Sequence, residues 1–116
     1  MFRYKEEKTL DERKHETEKI QSRWPEKIPI ILEKDSRCTL EALPKSKFLC
    51  SNDFTVQQFT ASIRKKLNLD KSAGVFIFIG GKELLSGEAL MREVYQQKKD
   101  EDGFLYMLYS EHEVLG

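Results

Sequence analysis

The sequence predicts an α+β domain, because helix-type and strand-type patterns alternate along its 116 residues. Capping boxes at Thr9 and Thr55 indicate two helix starts, and the second leads into apolar residues spaced by three and four. Short apolar runs rich in β-branched and aromatic residues occupy 28–32, 75–79 and 104–109 and are typical of core strands. Together these patterns favour a sheet with helices packed on it.

The N-terminal segment is polar and helical in pattern. Thr9 begins Thr-Leu-Asp-Glu, so its hydroxyl can cap the amide of Glu12 while the Glu12 carboxylate answers the Thr9 amide. The helix expected from Leu10 to Arg23 has few apolar positions, and Pro25 disfavours its continuation. We therefore expect residues 1–26 to form an extension of two helices that packs on a larger core.

A first strand is expected over residues 27–33, where Ile-Pro-Ile-Ile-Leu is nearly continuous in apolar residues. Alternation over Lys47 to Cys50 predicts a second strand that forms a hairpin with the first. The capping box at Thr55 then opens a central helix. Its apolar face is formed by Val56, Phe59, Ile63 and Leu67.

The remaining elements are a third strand, a short helix and a last strand. The strand over Val75 to Ile79 ends at Gly80-Gly81, a pair suited to a tight turn, and a short helix is expected around Ala89 to Gln97. The last strand covers Phe104 to Tyr109. This order predicts a β-grasp over residues 27–110: a four-stranded mixed sheet with a central helix across one face.

Composition excludes several functional classes. Lys and Arg number 20 and Asp and Glu number 20, so the balanced chain lacks the basic footprint of a nucleic-acid-binding protein. Cys38, Cys50, His15 and His112 show neither metal-ligand spacing nor a nucleophile and base pairing, so we expect no metal, no cofactor and no enzyme activity. No apolar run is long enough to span a bilayer, and the cysteine usage fits a reducing, cytoplasmic compartment.

Charge is unevenly distributed along the chain. Residues 34–71 carry eight Lys/Arg against four acids, whereas residues 100–116 carry five acids and no Lys/Arg. A solvated face is one explanation, and a surface for acidic segments of partners is the other.

The last strand is followed by a short acidic tail, residues 111–116, that closes on Gly116. Glycine lacks a Cβ, so it neither blocks attack on its carbonyl in a narrow enzyme site nor restricts φ and ψ. The tail therefore suggests a carboxylate offered for conjugation, and an ordinary frayed terminus is the alternative.

Separate segments of the chain, in order, resemble the autophagy-related ubiquitin-like modifiers, the group of the GABA-receptor-associated protein and microtubule-associated light chain 3. The resemblance lies in Tyr4-Lys5-Glu6-Glu7, Ile28-Pro29-Ile30-Ile31, Lys45-Ser46-Lys47-Phe48-Leu49, Phe54-Thr55-Val56, Ile63-Arg64-Lys65 and Asp100-Glu101-Asp102-Gly103-Phe104. It covers nearly the whole chain and implies a ubiquitin-like form of the β-grasp.

The resemblance implies that Gly116 is joined to phosphatidylethanolamine. Activating and conjugating enzymes would pass the modifier between cysteines, and a deconjugating cysteine protease would release it. Catalysis would reside in these partners, while the lipid would move the modifier from the cytoplasm to autophagosome and other vesicle membranes.

The resemblance also implies docking of cargo receptors and adaptors through peptides of the pattern aromatic-x-x-aliphatic, paired with the edge of the second strand. The expected aromatic pocket comprises Glu16, Ile20, Pro29, Lys47, Leu49 and Phe104. The expected aliphatic pocket comprises Phe48, Cys50, Phe54, Phe59 and Ile63. Acidic residues flanking the peptide would meet Lys45, Lys47, Arg64 and Lys66.

Some residues depart from the family pattern. Ser51 replaces a proline, Cys50 a branched aliphatic residue, and Ser62 a larger apolar residue, so a wider or more polar aliphatic pocket is expected. Lys66 replaces an arginine and cannot form a planar bidentate pair with a carboxylate. The alternative function is a non-covalent ubiquitin-like interaction domain in vesicle trafficking or microtubule association.

Overall fold

The computed structural model describes residues 2–70, 72–80 and 83–113. The helices are α1 (Arg3–Glu7), α2 (Leu10–Arg23), α3 (Val56–Leu67) and α4 (Met91–Lys98). The strands are β1 (Lys27–Lys34), β2 (Lys47–Ser51), β3 (Phe76–Ile79), β4 (Glu83–Leu84) and β5 (Leu105–Ser110). The predicted α+β class and element order are confirmed, and both capping boxes are formed.

The strands form one mixed sheet in the order β2-β1-β5-β3-β4, in which β1 and β5 are parallel and the other neighbours are antiparallel. The sheet has five strands rather than the predicted four. The additional strand, β4, has only two residues, too few to show an alternating pattern in the sequence. It follows a turn in which Gly80 has a φ of +57°, and Gly81 lies outside the described residues.

Pro29 lies in β1, which is an inner strand of the sheet. A proline cannot donate a ladder hydrogen bond, so it is normally confined to edge strands, strand starts and bulges. Here β5 begins to pair only at Ile30, opposite Leu105, whereas Pro29 is opposite Leu49 of β2. Pro29 is therefore paired on one side only.

Two apolar cores cover the two faces of the sheet. The larger lies beneath α3 and takes Ile28, Ile30 and Leu32 from β1. The smaller lies beneath α1 and α2 and takes Ile31 from β1. Its other members are Tyr4, Ile20, Phe104 and Tyr106, with Phe2 at its margin.

A buried polar cluster, which we call the Asp102 network, joins the N-terminal helices to the sheet. The Asp102 carboxylate is fully buried and accepts hydrogen bonds from Arg13 Nη1 (2.6 Å), the Tyr106 hydroxyl (2.6 Å) and the Phe104 amide (2.8 Å). Burial, together with the adjacent carboxylate, raises the pKa of Tyr106, so its hydroxyl remains a donor. The Thr17 hydroxyl donates to the Asp102 carbonyl at 2.6 Å.

The residue after β5 is held by the β1–β2 connection. The Glu111 carboxylate accepts hydrogen bonds from the Thr39 amide, at 2.9 and 3.2 Å, and from the Thr39 hydroxyl. These bonds lower the pKa of Glu111 to about 2. The predicted 111–116 tail thus starts with an anchored residue, and its conjugation residue, Gly116, lies outside the described residues.

Candidate functional site

The outer edge of β2 is the centre of the candidate site. In the described part of the chain β2 pairs with β1 alone, so its other side is free for a further strand. Lys47 and Leu49 are opposite Ile31 and Pro29, on the α2 face, and Phe48 and Cys50 lie on the α3 face. β2 therefore presents different side chains to the two faces of the sheet.

We call the six residues predicted for the aromatic pocket the α2 half-site, and their role in binding stays a prediction. Lys47 Nζ donates to Glu16 Oε1 at 2.6 Å, and this hydrogen bond lowers the pKa of Glu16. The side chains of Lys47, Glu16 and Leu49 are all partly exposed, and Leu49 is the apolar one among them. The other three, Ile20, Pro29 and Phe104, are buried below them. An ion pair and one exposed apolar side chain thus lie above an apolar floor.

The α3 half-site is a cavity of about 210 Å³ between β2 and α3. Its lining includes Phe48, Cys50, Phe54 and Phe59, four of the five residues predicted for the aliphatic pocket. The fifth, Ile63, does not line the cavity; its side chain is fully buried and packs in the larger core. Depressions of about 400 and 440 Å³ elsewhere on the described surface contain no β2 residue.

Helix periodicity explains which α3 residues reach the cavity. Phe59, Ser62 and Lys66 follow each other at intervals of three and four and share one face of the helix, and all three line the cavity. Ile63 points instead into the core. Lys27 also lines the cavity and is not among the residues predicted for the site.

Cys50 forms an apolar wall of the cavity. It is buried, and desolvation raises the pKa of its thiol to about 12. The thiol is therefore protonated near neutral pH and lacks the thiolate character of a nucleophile. Among the described residues no group of three His, Cys, Asp or Glu side chains could hold a metal ion.

Two of the residues predicted to contact acidic residues of a peptide, Lys45 and Lys66, lie near the ring of Phe48. Lys45 Nζ lies 5.7 Å and Lys66 Nζ 5.9 Å from the centre of its ring. Arg64 does not join them, because its guanidinium donates to the carbonyls of Ala73 and, at 3.1 Å, Asp70. The positive surface at the α3 half-site is therefore formed by lysines.

The Asp102 network supports the α2 half-site, although Arg13, Asp102 and Tyr106 are not among the residues predicted for the site. Asp102 fixes the backbone of Phe104, the floor of the half-site, and its Arg13 and Thr17 contacts fix α2, which carries Glu16. The only signal in the sequence is an acidic residue two positions before the apolar run that starts at Phe104. A buried partner cannot be inferred from that signal, because such residues are usually exposed.

The family model described as "Autophagy protein Atg8 ubiquitin like" matches residues 12–116 of the chain. The chain belongs to the Atg8 family. Autophagy-related protein 8 of Mycosarcoma maydis is 40% identical over 113 residues, covering 97% of this chain and 95% of its own length. Autophagy-related protein 8e of Arabidopsis thaliana is 39% identical, with coverages of 97% and 92%.

A solved structure of an Atg8 protein, from Trypanosoma brucei, has the same fold. It superposes with a TM-score of 0.90 at 36% identity and covers 95% of this chain and 94% of its own. The predicted ubiquitin-like fold with N-terminal helices is confirmed. This Atg8 chain is thus a ubiquitin-like protein of autophagy. None of its described helices has both the length and the apolar character that crossing a bilayer requires.

Proposed function

We propose that this Atg8 protein is a modifier conjugated through Gly116 to phosphatidylethanolamine, and that it binds aromatic-x-x-aliphatic peptides of cargo receptors along β2. Activating and conjugating enzymes and a deconjugating cysteine protease are its proposed enzyme partners. The chain is their substrate rather than an enzyme itself. It acts in the cytoplasm and, once lipidated, on autophagosome membranes.

The position of the two half-sites on opposite faces of the sheet carries the peptide-binding proposal. Successive side chains of an extended strand point to opposite faces, so residues three apart also point to opposite faces. A peptide paired with β2 would therefore direct its aromatic residue to the α2 half-site and its aliphatic residue to the α3 half-site. Residues two apart would point to the same face and could not fill both.

The charges around the half-sites favour an acidic peptide. Lys45 and Lys66 flank Phe48, and Lys27 lies at the cavity. Lys47 is partly satisfied by Glu16 in the free protein, so a peptide carboxylate competes with an existing ion pair there. Because these lysines are exposed or half-buried, we expect the attraction to weaken as salt is added.

Peptide binding is tested by titrating an acidic Trp-x-x-Leu peptide into the protein while recording residue-resolved amide shifts. A dissociation constant on the order of micromolar is expected, with the largest shifts in β2. A second peptide with the same composition but Trp-x-Leu spacing can place only one of its two anchors in a half-site. It should therefore bind at least about tenfold more weakly, which corresponds to a loss of roughly 1.4 kcal/mol in binding free energy.

The matched variants remove the same residue types from opposite edges of the sheet. Lys47→Ala with Leu49→Ala should abolish binding, because Leu49 is exposed in the α2 half-site. Lys98→Ala with Leu84→Ala is the control, because Leu84 of β4 is 41% exposed and Lys98 pairs with Glu83 of the same strand. This double change should leave peptide binding intact. Equal effects of the two double changes would contradict docking at β2.

Conjugation is tested by incubating the wild-type chain and a chain lacking Gly116 with the activating and conjugating enzymes, ATP and phosphatidylethanolamine liposomes. Only the wild type should gain the lipid, and both chains should give the same amide spectrum. Membrane association of the shortened chain at the wild-type level would favour the non-covalent alternative.

A further inference from the structure

We infer that the α3 half-site takes a phenylalanine side chain as the second anchor of its peptide. This inference rests on the proposed peptide-binding function and replaces the aliphatic second anchor of the peptide with an aromatic one. It is drawn from the size of the cavity and from the groups that line it.

The size of the cavity suits an aromatic ring. Its volume is about 210 Å³, and an enclosed apolar cavity of about 150 Å³ in another protein binds benzene. The present cavity opens to solvent on one side, and Lys27, Ser51 and Lys66 also line it. Two short side chains, Cys50 and Ser62, form part of the lining and leave this space open. A valine or leucine side chain would leave part of it unfilled, and its lining atoms would lack contact partners.

The chemistry of the lining suits a ring as well. Phe48, Phe54 and Phe59 contribute three rings, and offset or edge-to-face contacts between rings are more favourable than area burial alone accounts for. Cys50 adds a polarizable sulfur that is protonated near neutral pH.

Ser62 does not oppose an apolar occupant. Its hydroxyl donates to the Phe59 carbonyl at 2.7 Å, so its hydrogen is already used within the helix. Replacement of Ser62 by a larger apolar residue would therefore change mainly the volume of the cavity. The volume argument can be tested at this one position.

The experiment compares acidic peptides Trp-x-x-Val, Trp-x-x-Leu and Trp-x-x-Phe, identical at all other positions, by calorimetric titration. Each additional buried methylene corresponds to about a fourfold change in the dissociation constant. We therefore expect the Phe peptide to bind the wild type at least about fivefold more tightly than the Leu peptide, with Val weakest.

Two variants separate volume from polarity. Ser62→Leu fills the cavity and should reverse the order, so that the Leu peptide binds more tightly than the Phe peptide. Ser62→Ala keeps the cavity open while removing the hydroxyl, and it should keep the wild-type order. Amide spectra of both variants establish that they are folded.

The outcomes distinguish this inference from the proposed function. Binding of the Leu peptide at β2 with no advantage for Phe, or an order that Ser62→Leu leaves unchanged, would overturn the inference alone. If none of the three peptides binds the wild type, the proposed function fails and the inference with it.

Discussion

Removal of the Arg13 cation tests how the N-terminal helices are held to the sheet. Arg13→Met keeps most of the apolar stem of the side chain but leaves the Asp102 carboxylate without its cation. That carboxylate is fully buried, while the Arg13 side chain is 12% exposed. The remaining donors to the carboxylate are the Tyr106 hydroxyl and the Phe104 amide.

The expected loss follows from the burial of this pair. Removing one partner of a buried ion pair lowers the free energy of unfolding by about 3–5 kcal/mol. The 12% exposure of Arg13 lets water approach the vacated site, so we expect a loss of about 3 kcal/mol. Asp102→Asn leaves the Arg13 cation unpaired, but that side chain is 12% exposed and water can reach it, so the loss should be only about 1.5–3 kcal/mol.

Urea denaturation followed by far-ultraviolet circular dichroism measures these free energies. The double variant Arg13→Met, Asp102→Asn should lose less than the sum of the single losses, by about 1–2 kcal/mol, because its buried anion is gone. Arg3→Met is the matched control. Its pair with Glu7 is highly exposed at 3.9 Å, so the change should stay within about 0.5 kcal/mol.

Two results would refute this reasoning. One is an Arg13→Met loss no larger than that of Arg3→Met. The other is a double variant whose loss equals the sum of the single losses. Either result would mean that the Asp102 charge is stabilised by something other than Arg13.

Three further predictions concern single positions. Gly103→Ala should lower the free energy of unfolding by more than about 2 kcal/mol, because φ is +93° and the added Cβ would lie 2.6 Å from Thr17 Oγ1. Gly80→Ala is the control in the same urea denaturation assay. Its φ is +57° but its Cβ would meet open space, so the loss should be only about 1–2 kcal/mol. Thr39→Ala should raise the pKa of Glu111 from about 2 towards 4.5, as measured by a carboxyl-carbon NMR titration. Because the pKa of Glu111 is lower in the folded state, the stabilisation from its Thr39 hydrogen bonds is present above pH 4.5 and is lost as the pH falls towards 2. Tyr4→Phe should raise the free energy of unfolding by about 1 kcal/mol, because the buried hydroxyl has no hydrogen-bond partner among the described residues, and a decrease would show that a partner exists.

The sequence determined the features that depend on neighbouring residues. The capping boxes at Thr9 and Thr55 join residues three apart, so they could be predicted without knowledge of the rest of the chain. The alternation of Lys47 to Cys50 likewise assigned these side chains to two faces, because the strand repeat is two residues. The family resemblance also named four residues that line the cavity between β2 and α3, while their role in binding stays a prediction.

The tertiary structure decided what depends on residues far apart in the chain. The partners Arg13 and Asp102 are 89 positions apart, and neither has a local pattern that indicates the other. Arg64 and Lys66 are both basic residues of α3, but packing directs only Lys66 to the cavity and ties Arg64 to the carbonyls that follow the helix. Hydrogen bonds between residues that are close in sequence follow from local geometry. Burial and pairing between distant residues are fixed only when the whole chain packs.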